Sequence, residues 1–380
     1  MLNKVFFRNA SVYRLAEAWQ PGPAALAEQL AAAPFTPCGT MEAESVGWVS
    51  PAPDTDLVYD SAGHYLLTLR IEQRVMPAAA VNLMVRERAA KLEEQQGFKP
   101  GKRQMKEIKE AVRDEMLPQA FRQQKDVRVW IDTRGRTLVV DSASPAQCDV
   151  VMGILGKCVD PFPVEPFQVQ SNPALSMTAW LQSDAAPDTF TIDTDVELRS
   201  AGDAGAVVRY QRQAVDPSEV THHINGGKQV TLLGLTWNDR VAFLLDDGLH
   251  LKRIVALDLL TQAQDRAGRA ESEQFAADFN LMAGELSGLI GDLTYSLGGL
   301  RLDLAQQAEA AEQEVADHAD QDELLHQARD VVIAHDRASI SLIQRSLRIG
   351  YNRAARLLET LEKLNVVSPM NSDGTRAVLA

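Results

Sequence analysis

The apolar positions change period along the chain, and the changes mark out its elements. Asn9-Ala-Ser-Val-Tyr-Arg-Leu15 alternates as a strand does, and His64-Tyr-Leu-Leu-Thr-Leu-Arg-Ile71 reads as a second strand behind the Ser61-Ala-Gly63 turn signal. Between them, Pro23 to Ala33 is an Ala/Leu-rich helix that stops before Phe35-Thr-Pro-Cys-Gly39. From Pro77, a residue suited to starting a helix, the pattern is helical through Gln96. Gly97-Phe98-Lys99-Pro100-Gly101 interrupts it, and a second helix from Lys102 to Met116 completes a helical hairpin before Pro118.

Arg128 to Asp141 predicts a β-hairpin turning at Thr133-Arg-Gly135, followed by a helix over Cys148–Cys158 and a break at Asp160-Pro-Phe-Pro163. Thr189 to Glu197 reads as an edge region. A β-meander follows: Gln229 to Trp237, Arg240 to Leu245 and Leu249 to Ile254, with turns at Asn238-Asp239 and Asp246-Asp-Gly248. Glu271 to Leu297 is a long helix whose stripe of Phe279, Met282, Leu286, Leu289, Ile290 and Leu293 predicts a core face, with a dimer helix as the second reading. Gly284, Gly288 and Gly291 allow close approach along it, at some cost in helix propensity. Residues 305–321 are rich in Ala, Gln and Glu and predict a solvated helix or flexible tether. The pattern is α+β, in a body of residues 1–304, a linker of 305–321 and a tail of 322–380.

In the tail, Ala338 to Leu364 reads as two short helices around a tight turn at Arg348-Ile-Gly350, where Gly can supply φ > 0. Ala354, Leu357, Leu358, Leu361 and Leu364 share one side of the second helix, and Asn352, Arg356, Glu359 and Lys363 share the other. Arg suits guanine, Asn adenine and Glu the cytosine amino group, so the polar face suits base edges. The bland alternative is a helical hairpin whose charges are solvated.

The formal net charge of −14 at first argues against nucleic acid. Its distribution changes that picture. Residues 305–322 hold six acidic residues and no Lys or Arg, residues 323–380 hold eight Lys/Arg against six Asp/Glu, and −10 remains on residues 1–304. Within that acidic body, residues 99–113 carry Lys99, Lys102, Arg103, Lys106, Lys109 and Arg113 against only Glu107 and Glu110. Lys102, Lys106, Lys109 and Arg113 recur at helical steps and form one stripe. It is either a solvated face or a phosphate contact, and Phe98 stands only at its border, which favours duplex backbone over a stacking platform.

No catalytic signature appears. Gly226-Gly-Lys228 lacks the upstream Gly of a phosphate loop, and Gln229 stands where a Ser or Thr would hold magnesium. His222 and His223 are adjacent, so on a helix they point about 100° apart and form no HExxH motif, and Asp246-Asp247 fit a hairpin turn. Cys38, Cys148 and Cys158 are scattered and predict reduced, buried thiols, with no metal site and no cofactor. Met1 to Arg8 does not resemble a signal peptide, and no apolar run approaches the roughly 18 residues of a membrane span, so a cytoplasmic protein is expected.

Residues 1 to about 303 resemble the RdgC family of bacterial recombination-associated DNA-binding proteins. The resemblance rests on Tyr13-Arg-Leu15, Phe35-Thr-Pro-Cys-Gly39, Gly47-Trp-Val49, Leu117-Pro-Gln-Ala-Phe121, Trp130-Ile-Asp-Thr133, Thr178-Ala-Trp180, Asp247-Gly248, Leu251-Lys-Arg253 and Asp278 to Leu286, in order. It implies a ring-forming domain of antiparallel sheets and a helical hairpin, dimerised around a basic hole that holds double-stranded DNA, associated with the nucleoid and restraining RecA-promoted strand exchange. Lys99, Lys102, Arg103, Lys106 and Lys109 then become candidate hole lining. Phe121, as a bare sequence feature a core aromatic, becomes support for an interface or for the hairpin base.

Residues 323–380 resemble the gamma domain of FtsK/SpoIIIE translocases, through Arg337-Ala-Ser-Ile-Ser, Gln344-Arg345 and Arg348-Ile-Gly-Tyr-Asn-Arg-Ala-Ala-Arg356. That implies a C-terminal winged helix-turn-helix that reads short G-rich sequences, with wing strands at 366–368 and 376–379 and a tip at Asn371-Ser-Asp-Gly374. Asn352, Arg356 and Glu359 match base-reading positions, and Arg348, Arg353 and Arg376 match phosphate or wing contacts. Neither a motor with Walker motifs nor a membrane anchor accompanies it here, so no pumping of DNA is implied. The function expected is a non-enzymatic duplex binder that modulates recombination. The alternative is a protein–protein module acting on RecA filaments or a site-specific recombinase, with the tail as docking domain.

Overall fold

Alternation across paired strands builds the larger sheet, and the computed structural model shows where each face goes. It describes residues 5–16, 19, 21–162, 164–200, 205–213, 217–257, 270–301, 324–335, 338–347, 357–358, 360–362, 364, 366–368 and 378–379. The chain divides into two compact units, Met1–Leu300 and Arg301–Ala380. The tether expected at 305–321 lies outside the described residues.

In chain order the first unit contains β1 (Ser11–Leu15), α1 (Pro23–Leu30), β2 (Glu44–Val49), β3 (Tyr59–Ser61), β4 (His64–Val75), α2 (Ala78–Gln96), α3 (Lys102–Met116), β5 (Phe121–Asp132), β6 (Thr137–Val140) and α4 (Pro145–Cys158). It continues with β7 (Val164–Pro166), α5 (Pro173–Ser183), β8 (Phe190–Ser200), β9 (Val207–Tyr210), α6 (Pro217–Asn225), β10 (Lys228–Trp237), β11 (Val241–Asp246), β12 (Leu251–Ala256) and α7 (Glu271–Ser296). One antiparallel sheet runs β2-β4-β5-β6-β1-β7, with β3 also paired to β4, and a second runs β12-β11-β10-β8-β9.

Side chains alternate across a strand, so the first sheet serves two cores. Tyr65, Leu67, Leu69 and Ile71 of β4 join Val127, Val129 and Ile131 of β5 beneath α1 and α4. Leu66, Trp130 and Val139 point the other way, into a core shared with the second sheet, α5 and α7. α7 touches both sheets: Ser287 donates to Asp132 at 2.9 Å, the Trp237 indole donates to Asp292 at 2.8 Å, and Arg240 pairs with Glu285 at 2.5 Å. Gly288 is the glycine this packing uses, since a Cβ there would sit 3.0 Å from Trp237, whereas Gly284 and Gly291 face open space.

Several expectations need correction. β8 is interior, because β9 pairs with it on the side away from β10. β5 begins at Phe121 and not near Arg128, because its first half pairs with β4 through the backbone while its polar side chains stay exposed. α1 ends at Leu30, three residues short of Ala33, after which the chain turns to pair with Trp48. Phe121 is no core aromatic, being 85 % exposed. In the second unit Leu364 is 58 % exposed, at the turn after the last helical residues and not on the buried face.

That second unit has its own core. Ala328 and Val332 from helical residues 324–334, Ile343 from the helix Ile340–Leu347, and Leu357, Leu358 and Leu361 meet Val366 and Val367. Val367 bridges Val378 antiparallel and the Leu379 N–H donates to Val366 at 2.9 Å, so the two wing segments pair.

Phe279 is fully buried between the sheets. Phe279→Ala should cost about 3–5 kcal/mol in urea unfolding, since a large cavity opens in a core with elements on every side. Asp246 anchors the β11–β12 turn, accepting the Gly248 and His250 N–H groups and the Lys252 ammonium. Burial pushes its pKa up, but the His250 and Lys252 hydrogen bonds outweigh that and bring it from 3.8 down to about 2. Its stabilisation is therefore complete above the ordinary value and lost as pH falls through about 2. Asp246→Asn should lower Tm at pH 5 and above, with the deficit closing toward pH 2.

Candidate nucleic-acid interface

Residues 76–120 leave the first sheet between β4 and β5 as an arm, α2 packed against α3. Its own core is small and Met-rich: Val81, Val85 and Val112, with Met84, Met105, Ile108 and Met116 against them. The spacing of Met105, Ile108, Val112 and Met116 turns one face of α3 toward α2 and leaves the adjoining face to solvent. That face carries Lys102, Lys106, Lys109 and Arg113, all exposed, at intervals of roughly 5 Å along about 16 Å of helix. Lys99 precedes it in the turn, also exposed, and Arg103 lies off the stripe, beside Glu107.

Ion pairing offsets two of the arm's cations, of which only Lys106 belongs to the stripe. Arg103 meets Glu107 at 3.0 Å and Lys106 meets Glu110 at 3.8 Å. Among the described residues, no carboxylate lies within ion-pair distance of Lys99, Lys102, Lys109 or Arg113. Lys102 and Arg103 also occupy the first turn of α3, which holds no acidic residue, where the helix dipole disfavours cations by about 0.3–1 kcal/mol each. Folding alone would place acids there.

The arm is fixed at its root. Arg74 is buried and donates to the carbonyls of Leu117 and Pro118 at 3.0 and 3.2 Å and to that of Gly39 at 3.0 Å. Beside it, buried Glu72 accepts from Gln124 and from the Cys38 N–H, each at 2.7 Å. Hydrogen bonds from Gln124 and Cys38 hold its carboxyl below the ordinary range, while burial pushes the Cys38 thiol up. Arg88 and Glu115 pair across the two helices. A cleft of about 430 Å³ at the root is lined by Arg74, Met76, Val81, Lys109, Arg113 and Leu117.

A second cleft, of about 380 Å³, lies over the β-meander and includes Lys252 and Arg253. Its cations are largely neutralised: Arg199 and Arg209 hold Glu197 at 3.0 and 2.7 Å, and Lys252 holds Asp246 at 2.6 Å. The α3 stripe is the more open cationic surface.

Of the residues singled out in the sequence, Lys99, Lys102, Arg103, Lys106 and Lys109 are thus brought together on one arm. Asn352, Arg356, Glu359, Arg348, Arg353 and Arg376 lie outside the described residues. Sequence reading missed Arg74, whose only signal was a cation near the end of a strand, and it underrated the exposure of Phe121.

Residues 5–300 match the family model described as "Putative exonuclease, RdgC". The chain belongs to the RdgC family. Residues 319–380 match the Ftsk gamma domain, a winged helix, joined here to an RdgC body. Among the relatives named "Recombination-associated protein RdgC", that of Cupriavidus necator is 45% identical over 297 residues, which is 78% of this chain and 99% of the relative. The Bordetella parapertussis protein is 44% identical over 295 residues, again 78% of this chain and 99% of the relative. That of Burkholderia orbicola is 42% identical over 307 residues, 81% of this chain and 100% of the relative. The gamma-type unit therefore lies almost wholly beyond the part shared with these RdgC proteins.

The root contacts generate a direct test. Arg74→Met should leave the Leu117, Pro118 and Gly39 carbonyls without their donor, at about 1–3 kcal/mol for each left dry. Hydrogen exchange should quicken across α2 and α3 while the strands under α1 and α4 keep their protection.

Proposed function

We propose that this RdgC-family chain is a double-stranded DNA-binding protein that grips duplex through phosphates and modulates RecA-type recombination at the nucleoid, without catalysing a reaction. The observation that carries the reading is the exposed cationic arm, Lys99, Lys102, Lys106 and Lys109 with Arg103 beside them, on a chain whose net charge is −14. Lys102, Lys106, Lys109 and Arg113 along one face of α3, with Lys99 just ahead of them, fit the repeating charge of a duplex backbone and carry no sequence information. Phe121, exposed next to its strand partner Val75, supplies an apolar patch at the arm root that a second copy would cover, as a ring-shaped dimer requires. The gamma-type tail would choose the address. Asn352, Arg356 and Glu359 read base edges in short G-rich sequences, while Arg348, Arg353 and Arg376 hold phosphate or the wing. Linking the two contacts turns the second into a local event, so that modest affinities combine.

The word exonuclease in the family description would call for carboxylates converging on metal ions. Among the described residues, no three His, Cys, Asp or Glu side chains come together in that way. The surplus of acid on residues 1–304 favours one other reading, in which the body docks on a basic surface of RecA or a recombinase.

Fluorescence anisotropy on the full chain separates these readings. About six neutralised phosphates give a slope of log K against log salt near −5, and Lys102→Glu, Lys106→Glu and Lys109→Glu together should reduce it by about 3. Arg356→Ala should cost about 1–3 kcal/mol on a G-rich target and little on scrambled duplex. If the unmodified chain binds no duplex at low salt, the docking reading stands and the DNA grip is wrong.

A further inference from the structure

We propose that Phe98 is a base-contacting wedge: at the free end of the arm it enters a base step that is already unstacked, so the protein favours mismatched or interrupted duplex over fully paired duplex. The inference rests on the phosphate-grip reading of the same arm. Phe98 is 62 % exposed, in the turn between α2 and α3.

The turn that holds it is built, not loose. Gly97 ends α2 at φ 78, a left-handed position suited to glycine, with open space where a Cβ would be. The Gln96 side chain donates to the Phe98 carbonyl at 2.8 Å and accepts from the Gln104 side chain at 3.0 Å. Gln104 in turn accepts the Gly101 N–H at 3.0 Å. The main chain is thus tied on both sides of Phe98, while the side chain itself stays open to solvent.

Its surroundings decide what that ring meets. Residues 95–106 contain Lys99, Lys102, Arg103 and Lys106 and no acidic residue. A second copy would bring the same cations and be repelled, and a protein partner would need an acidic rim around a single-ring pocket. A bilayer would need an apolar helix face, but Met105, Ile108 and Val112 of α3 pack against α2. A base flanked by phosphates meets both demands, an aromatic face and a ring of cations. Opening an intact stack costs more than one aromatic contact returns, so a single wedge selects steps that are already open and does not create them.

The test compares the full chain and its Phe98→Ala and Phe98→Trp variants on one duplex, fully paired or with a central two-base mismatch carrying 2-aminopurine. The unmodified chain and Phe98→Trp should bind the mismatched duplex about fivefold to a hundredfold more tightly and quench the probe. Phe98→Ala should lose both effects while keeping its affinity for paired duplex. A gap that is absent in the unmodified chain, or that persists in Phe98→Ala, overturns the wedge while the phosphate grip stands. Binding to neither duplex overturns the grip and the wedge together. Phe98-dependent binding to phosphatidylglycerol vesicles with no mismatch preference would assign the ring to lipid and sink the proposal.

Discussion

The arm can be aimed only because β4 and β5 stay paired after leaving the core. Their register is unbroken over twelve pairs, from His64↔Asp132 to Val75↔Phe121. In the first half, each strand buries both faces between two cores, and hydrophobic burial holds the pair. In the second half Arg122 to Asp126 are exposed, and the ladder depends on backbone hydrogen bonds and polar partners. Arg70 grips Asp126 through two hydrogen bonds of 2.7 and 2.8 Å. Glu72 and Arg74 then plug the junction. Each is buried and charged, and each is hydrogen-bonded by neighbours that come from other segments, the Arg74 Nε–H alone being left without an acceptor among the described residues. Removing one side of such an arrangement leaves an uncompensated charge or dry carbonyls, so the junction resists fraying.

The base of that ribbon is immobilised from behind. Asp132, at the core end of β5, accepts the Arg134 and Gly135 N–H groups and the Ser287 hydroxyl. Ser287 lies on α7, which is wedged against the second sheet at Trp237 and Arg240. A displacement at the arm root would therefore have to be absorbed by the ribbon or its polar junction, since the packed core behind it has no slack. This is the condition under which a row of lysines can present a fixed spacing to a polyanion.

How much of this was legible in the sequence depended on whether side chains or backbone made the element. The bounds of α2 and α3 fall close to the expected ones because Pro77, Gly97-Phe-Lys-Pro-Gly101 and Pro118 are punctuation written in covalent geometry. The stripe of α7 was legible for the same reason, its apolar period matching the core it fills. The outer half of β5 was not, because Arg122-Gln-Gln-Lys-Asp126 has no alternation and its pairing is carried by the main chain. β8 looked like an edge because its outer partner β9 is only four residues long and leaves little strand signal in the sequence. Helix α5 escaped notice although Asn172 caps it, accepting the Leu175 N–H at 3.2 Å, ahead of Pro173. For the candidate site, the cations of α3 could be found by spacing alone. Arg74 could not, because nothing in a sequence shows which carbonyls converge on a guanidinium.

An acidic body with a basic arm is not a contradiction once screening is included. At physiological ionic strength the Debye length is about 8 Å. Helix α3 alone is roughly 22 Å long, so Lys99 and Lys102 stand more than two screening lengths beyond the ribbon. At that distance the acidic residues of the sheets and of α7 scarcely lower the potential at the tip, while they still discourage unspecific contact by the rest of the surface. Local charge then decides what the tip meets. An arm long enough to outreach its own body's field is what lets a chain of net charge −14 offer a cationic face to a polyanion.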